Sequence, residues 1–137
     1  MASTYATDQS SAKNARKGLG LVARTVTYTS PVFVLDDVVQ LLPVYEGETV
    51  VGLELVTSDL DSHGTPALVL DVGDGDNDDR YILGSTVGQA GGVAGPNVVS
   101  GYPYTYTADD TIDLHVDTAP ATGAAGTVSL TVYVLSA

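Results

Sequence analysis

The segment VSLTVYVL, residues 128–135, places Val128, Leu130, Val132 and Val134 at every second position. Successive side chains of a β-strand point to opposite faces, so this alternation describes a strand with one buried and one solvated face. The pattern recurs upstream. TIDLHVDT, residues 111–118, sets Ile112, Leu114 and Val116 against Asp113, His115 and Asp117. ALVLDV aligns Leu68, Leu70 and Val72, and TVVGLELVT aligns Val51, Leu53 and Leu55. Further strands are expected in VARTVTYT (22–29), VFVLDDVVQLL (32–42, broken at Asp36-Asp37), RYIL (80–83) and YPYTYT (102–107). No window of about 11 residues holds a 3.6-residue apolar period, so helix content should be low.

About seven or eight short strands joined by Gly, Pro and Asp turns describe an all-β domain, a sandwich or a barrel. Its core should be aliphatic, because the chain has no Trp and one Phe. GSTVGQAGGVAGPNVVSG, residues 84–101, carries six glycines and one proline and reads as a long surface loop. TAPATGAAG, residues 118–126, reads as a shorter connection between the last two strands.

At 137 residues the chain has the length of one domain. With no cysteine it has neither a disulfide framework nor a thiolate metal site, as suits a reducing cytoplasm. The N-terminal residues lack the apolar run of a secretory signal, and no apolar run approaches the length of a membrane span. The net charge of −12 is unevenly spread. Lys13, Arg16, Lys17 and Arg24 are four of the five basic residues, and in the first 24 positions only Asp8 opposes them. The other sixteen acids and one base, Arg80, fall in residues 25–137. Residues 1–24 therefore read as a basic arm and residues 25–137 as the β domain. So acidic a body repels nucleic acid and anionic lipid, neither of which is expected as a partner. The arm suits docking on an acidic protein surface, of a neighbouring copy or another partner; the alternative is a solvated tail.

The stretch VLDVGDGDNDDRYIL, residues 69–83, holds five aspartates between Asp71 and Asp79. An EF-hand loop requires glycine at its sixth position and glutamate at its twelfth. Counted from Asp74, these positions are Asp79 and Ser85, and the flanks read as strands, so that match fails. The reading adopted is a structural turn in which Gly73 and Gly75 take left-handed conformations and Arg80 pairs with Asp74, Asp76 and Asp78. A calcium site built from the same aspartates remains the alternative. No metal or cofactor is assigned. The histidines, His63 in a turn and His115 on a polar strand face, lie in no nucleophile motif, so no catalytic residue is assigned. Asp109-Asp110 reads as a turn opening a strand. Tyr102, Tyr104 and Tyr106 alternate and are expected to form a ladder on one strand face, as half-buried structure or a subunit interface or, alternatively, a glycan platform.

The segments GETVVGLELVTSDLD, LDVGDGDNDDRYILG and YPYTYTADDTIDLHVDTAPATGAAGTVSLTVYVL resemble the small β-sandwich proteins that decorate, or cement, the heads of tailed bacteriophages. The likeness spans roughly residues 45–137. It rests on the V-G-D-G-D…R-Y turn, the Y-T-A-D-D-T-I strand start and the A-G-T-V-x-L-x-V-Y final strand. It implies a jelly-roll-like sandwich and a non-enzymatic virion protein, assembled in the bacterial cytoplasm and placed on the capsid exterior. Its partners would be the major capsid protein and further copies of itself, as a dimer or trimer. The competing expectation from another class is a carbohydrate- or calcium-binding sandwich used for adhesion.

Overall fold

In the computed structural model, which describes residues 20–136, the alternation of residues 128–135 is realised: Val128, Leu130, Val132 and Val134 are buried while Tyr133 and Leu135 face outward. The strands are β1 (Leu21–Ser30), β2 (Val38–Val44), β3 (Thr49–Thr57), β4 (Val69–Gly73), β5 (Ile82–Ser85), β6 (Gly92–Ala94), β7 (Tyr104–Thr105), β8 (Asp110–Thr118) and β9 (Gly126–Leu135). Two antiparallel sheets face each other, with no α-helix among the described residues. The first has the order β1-β9-β3-β6, with β7 also pairing to β3, and the second has the order β2-β8-β4-β5. With β7 set aside, eight strands divide four and four, the strand order of a jelly roll. No helix among the described residues is long and apolar enough to cross a membrane.

The two most regular alternations, β8 and β9, are interior strands of their sheets. Each therefore presents one whole face to the core. Leu130, Leu55 and Val50 from the first sheet meet Ile112, Leu114, Leu70 and Val72 from the second, all fully buried. The single phenylalanine, Phe33, closes the core from the β1–β2 connection. In that connection Asp36 adopts a left-handed φ of 67°, and the Val34 N–H donates to the Asp37 carboxylate at 2.9 Å.

Four sequence expectations are corrected. In β3 a bulge between Val50 and Gly52 shifts the inward face, so Val50, Leu53 and Leu55 are buried and Val51 is not. The strand expected over 32–42 forms only from Val38, residues 32–37 being connection, and a second bulge in β2 turns both Leu41 and Leu42 inward. The stretch 84–101 is not only loop: it contains β6 and two single turns of 3-10 helix, Val87–Gln89 and Val99–Gly101. Finally, residues 21–24, expected in the arm, open β1 and pair with β9 from Leu21↔Leu135 onward. Residues 1–19, with Lys13, Arg16 and Lys17, lie outside the described residues.

One buried carboxylate organises the loops at one end of the sandwich. Asp61 is 1% exposed and accepts hydrogen bonds from the N–H groups of Ala67, Leu68, Ala121, Thr122 and His63 at 2.8–3.3 Å. It fastens the β3–β4 and β8–β9 connections together. Leu130→Ala, at a fully buried site on β9, should destabilise the protein by about 2–5 kcal/mol in urea unfolding. Leu135→Ala on the same strand should change it by no more than about 0.5 kcal/mol.

Candidate functional site

The acidic turn between β4 and β5 closes on its own backbone. The N–H groups of Asp76 and Asn77 donate to Asp74 Oδ1 at 3.1 and 2.9 Å. The Asp74 N–H returns to the Asn77 carbonyl at 2.8 Å. Gly73 is needed for close approach rather than for a left-handed φ, since a Cβ there would collide with the Asn77 and Asp78 backbone. Gly75 likewise has no left-handed φ; its N–H reaches the Asp110 carboxylate at 3.2 Å.

Arg80 does tie the turn down, but through Asp74 rather than all three expected aspartates. Its Nε donates to Asp74 Oδ2 at 2.5 Å and its Nη2 to Asp74 Oδ1 at 3.3 Å, with the Asp74 side chain 1% exposed. Asp76 lines a polar cleft of about 310 Å³ beside Tyr104 and Asp109, and Asp78 turns toward His115. Burial disfavours the Arg80 charge, yet the Asp74 carboxylate outweighs it and raises the guanidinium above its ordinary value.

Tyr102, Tyr104 and Tyr106 do not form a ladder, because β7 is only two residues long and the chain bends on either side of it. Tyr106 is 4% exposed and belongs to the core rim, its O–H donating to Asp74 Oδ2 at 2.8 Å. The Tyr81 oxygen lies 2.6 Å from that of Tyr106. Since the single Tyr106 proton is engaged by Asp74, Tyr81 is the donor to Tyr106. Burial above all pushes both phenols well above the ordinary tyrosine range. Tyr104 meets Tyr106 edge-on at 4.8 Å and carries the Arg80 guanidinium 3.7 Å over its ring. Half-buried Tyr102 donates to the Val51 carbonyl and lines a second cleft of about 340 Å³ with Pro96, Asn97, Val98 and Val99.

Arg24, expected in the docking arm, is occupied within the domain. Its Nη1 and Nη2 donate to Glu48 Oε1 and Oε2 at 2.7 and 2.5 Å, and its guanidinium lies 5.2 Å over the Tyr45 ring. The Arg24 hydrogen bonds, against a smaller desolvation effect, hold the Glu48 carboxyl below the usual range. Neither Glu48 nor Asp61 stood out in the sequence, because their partners are distant along the chain.

The outward face of β8 carries Asp113, His115 and Asp117 as the alternation foretold, but more deeply set than an open strand face. Asp113 is 5% exposed, and burial pushes its carboxyl up, with the Asp110 and Asp74 charges adding to the shift. Asp71, 3% exposed, is likewise raised by burial, against a hydrogen bond from the Gly84 N–H at 2.7 Å. His115 is surrounded by the carboxylates of Asp36, Asp71 and Asp78 at 3.6–3.7 Å. His63 Nδ1 accepts from the Thr65 N–H at 2.8 Å and so caps its own turn. Neither histidine is hydrogen-bonded to a serine among the described residues.

Comparison with solved structures places the fold. The chain is similar to a chain in the capsid of Ralstonia phage GP4, with a TM-score of 0.75 and 28% identity over 86% of this chain and 85% of that one. It is similar to a chain of the cyanophage Pam1 capsid asymmetric unit, with a TM-score of 0.74 and 28% identity over 86% and 84% of the two chains. A chain from the acidic stable capsid of Helicobacter pylori bacteriophage KHP30 shares the fold at 16% identity and a TM-score of 0.60, over 83% of this chain and 86% of that one. No known family model matches the chain, and no curated protein does. The likeness to phage capsid chains supports a virion structural role.

Asp74→Asn should destabilise by about 3–5 kcal/mol, because it leaves the Arg80 charge half-buried without its partner. Tyr106→Phe, which keeps the pair, should lose only about 1–2 kcal/mol, both read by urea unfolding. The two kinds of buried carboxylate should also respond to pH in opposite senses. Asp113 is raised on folding, so its ionisation opposes folding at neutral pH and stops doing so below the unfolded value of about 3.9. Asp113→Asn should therefore raise Tm near pH 7, with the gain vanishing toward about pH 3. At Asp61 burial acts upward, but the backbone N–H groups of Thr122, Ala67, Ala121 and Leu68 win and hold the carboxyl well below its usual range. Its stabilisation is present above about pH 4 and lost as pH falls further, so Asp61→Asn should lower Tm near pH 7 and the deficit should narrow in acid.

Proposed function

We propose that this chain is a capsid decoration, or cement, protein that binds the outside of an icosahedral phage head and stabilises it by bridging major capsid protein subunits. The observation that carries the reading is the likeness to two phage capsid chains over 86% of the sequence. Other features agree with it. The sites with ordered polar geometry, at Asp61, Asp74 and Glu48, hold turns and strands together. Val32, Val34, Leu35 and Val38 expose apolar surface around the β1–β2 connection, the kind of surface a subunit contact covers. A basic segment of opposite sign to the domain, with Lys13, Arg16 and Lys17, precedes β1 and suits docking on an acidic capsid surface or neighbouring copy. Copies would act as a dimer or trimer, so that weak contacts are multiplied by the symmetry of the shell.

Purified protein mixed with undecorated heads should bind saturably, at a stoichiometry set by the lattice, and raise the temperature at which the heads release DNA. Absence of saturable binding would remove this reading. Deleting residues 1–19, which leaves β1 whole, should keep the unfolding transition and weaken head binding at least about tenfold, as expected for the loss of several charge contacts. Equal affinity of the shortened chain would refute the docking role of the segment.

A further inference from the structure

We propose that the outward face of the second sheet binds one divalent transition-metal ion, of the zinc class, between His115, Asp71, Asp117 and Asp78. Strand geometry sets the donors. His115 points outward from β8, and Asp117, displaced at a bulge in the pairing of β8 with β4, brings a carboxylate oxygen to the same side. Asp71 on β4 is the cross-strand partner of His115. Asp78 reaches the ring from the β4–β5 turn. Donor atoms of Asp71, His115 and Asp117 all lie within 4.8 Å of one another.

The distances distinguish an ion site from a hydrogen-bonded cluster. His115 Nδ1 is buried and has no hydrogen-bond partner, and the side chain is only 14% exposed. That nitrogen stands 3.6 Å from Asp71 Oδ2 and 3.6 Å from Asp78 Oδ2. An N–H···O bond closes to about 2.7–3.2 Å, so neither contact is one. Two donors bound tetrahedrally to a common ion, each about 2.0–2.1 Å from it, lie about 3.4 Å apart. The observed spacing suits two ligands of one ion.

The surroundings prepare the donors. The Gly84 N–H holds Asp71 Oδ1 at 2.7 Å and leaves Oδ2 on the side of the ring. Asp36 Oδ1 stands 3.7 Å from Nε2 on the other side of the imidazole. One imidazole among carboxylates matches a borderline ion such as Zn²⁺, whereas Ca²⁺ and Mg²⁺ favour oxygen donors throughout. The site is distinct from a calcium loop in the acidic turn, where Arg80 already occupies the Asp74 carboxylate. It would fasten β4, β8 and the β4–β5 turn together, independently of any capsid role.

The test is calorimetric titration of the chelator-treated full chain with ZnCl₂, with thermal melts alongside. One Zn²⁺ should bind per chain and raise Tm by roughly 5–10 °C at a free concentration about a hundredfold above Kd, with equimolar MgCl₂ inert. His115→Gln should abolish both binding and the Tm rise, while His63→Gln should keep both. Asp117→Asn, at an exposed position that folding does not need, should weaken binding at least about tenfold, and this variant decides the matter if His115→Gln does not fold. No heat and no Tm shift, binding that survives His115→Gln, or unchanged affinity in Asp117→Asn would each overturn the proposal.

Discussion

The ion pair between Asp74 and Arg80 is the constraint around which one end of the sandwich is assembled. The only basic residue in positions 25–137 is placed against a carboxylate that is 1% exposed. A buried charge without a partner is strongly destabilising, so the two side chains hold each other in place. The consequences spread outward from them. Asp74 accepts from Tyr106, and Tyr106 from Tyr81, so phenols from the two sides of the molecule converge on the turn. Arg80 lies on Tyr104 of β7, which pairs with β3 of the first sheet, while the turn itself joins β4 and β5 of the second. One pair therefore links the two sheets at the rim of the core, where Tyr81 and Tyr106 pack.

The acidic character of the protein is managed differently in different places. Glu48 is met by an arginine fork and Asp61 by a ring of backbone N–H groups, and both carboxyls fall below their ordinary range for that reason. Asp71 and Asp113 on the outward face of the second sheet receive less compensation, and burial raises them. That face concentrates the uncompensated charge of the domain, with His115 at its centre. A metal ion or a basic partner segment would be electrostatically favoured there over any anionic ligand.

Much of the fold was legible in the sequence because a strand's face is a local property. The alternations in 111–118 and 128–135 predicted inward and outward residues that the structure reproduces, since β8 and β9 are interior strands and the bulge at Asp117 falls past Val116, the last inward residue of β8. Where bulges intervene, at Val50–Gly52 and Gln40–Leu42, a strict period of two misassigns Val51 and misses Leu41. β6 escaped notice because it is three residues long, and a backbone that pairs at a sheet edge needs little apolar signature.

The candidate sites divide along the same line. Composition and period determined that the chain is an all-β, acidic domain with an aliphatic core, and charge counting singled out Arg80 as the base that must be neutralised. Which aspartate would neutralise it, that Tyr106 would be a core residue, that Arg24 would be claimed by Glu48, and that Asp61 would join two connections were decided only by the tertiary structure. Each depends on groups 6 to 61 positions apart meeting at one point. Pairing of that kind is set by strand order and register across two sheets, and the spacing of residues along the chain does not encode it.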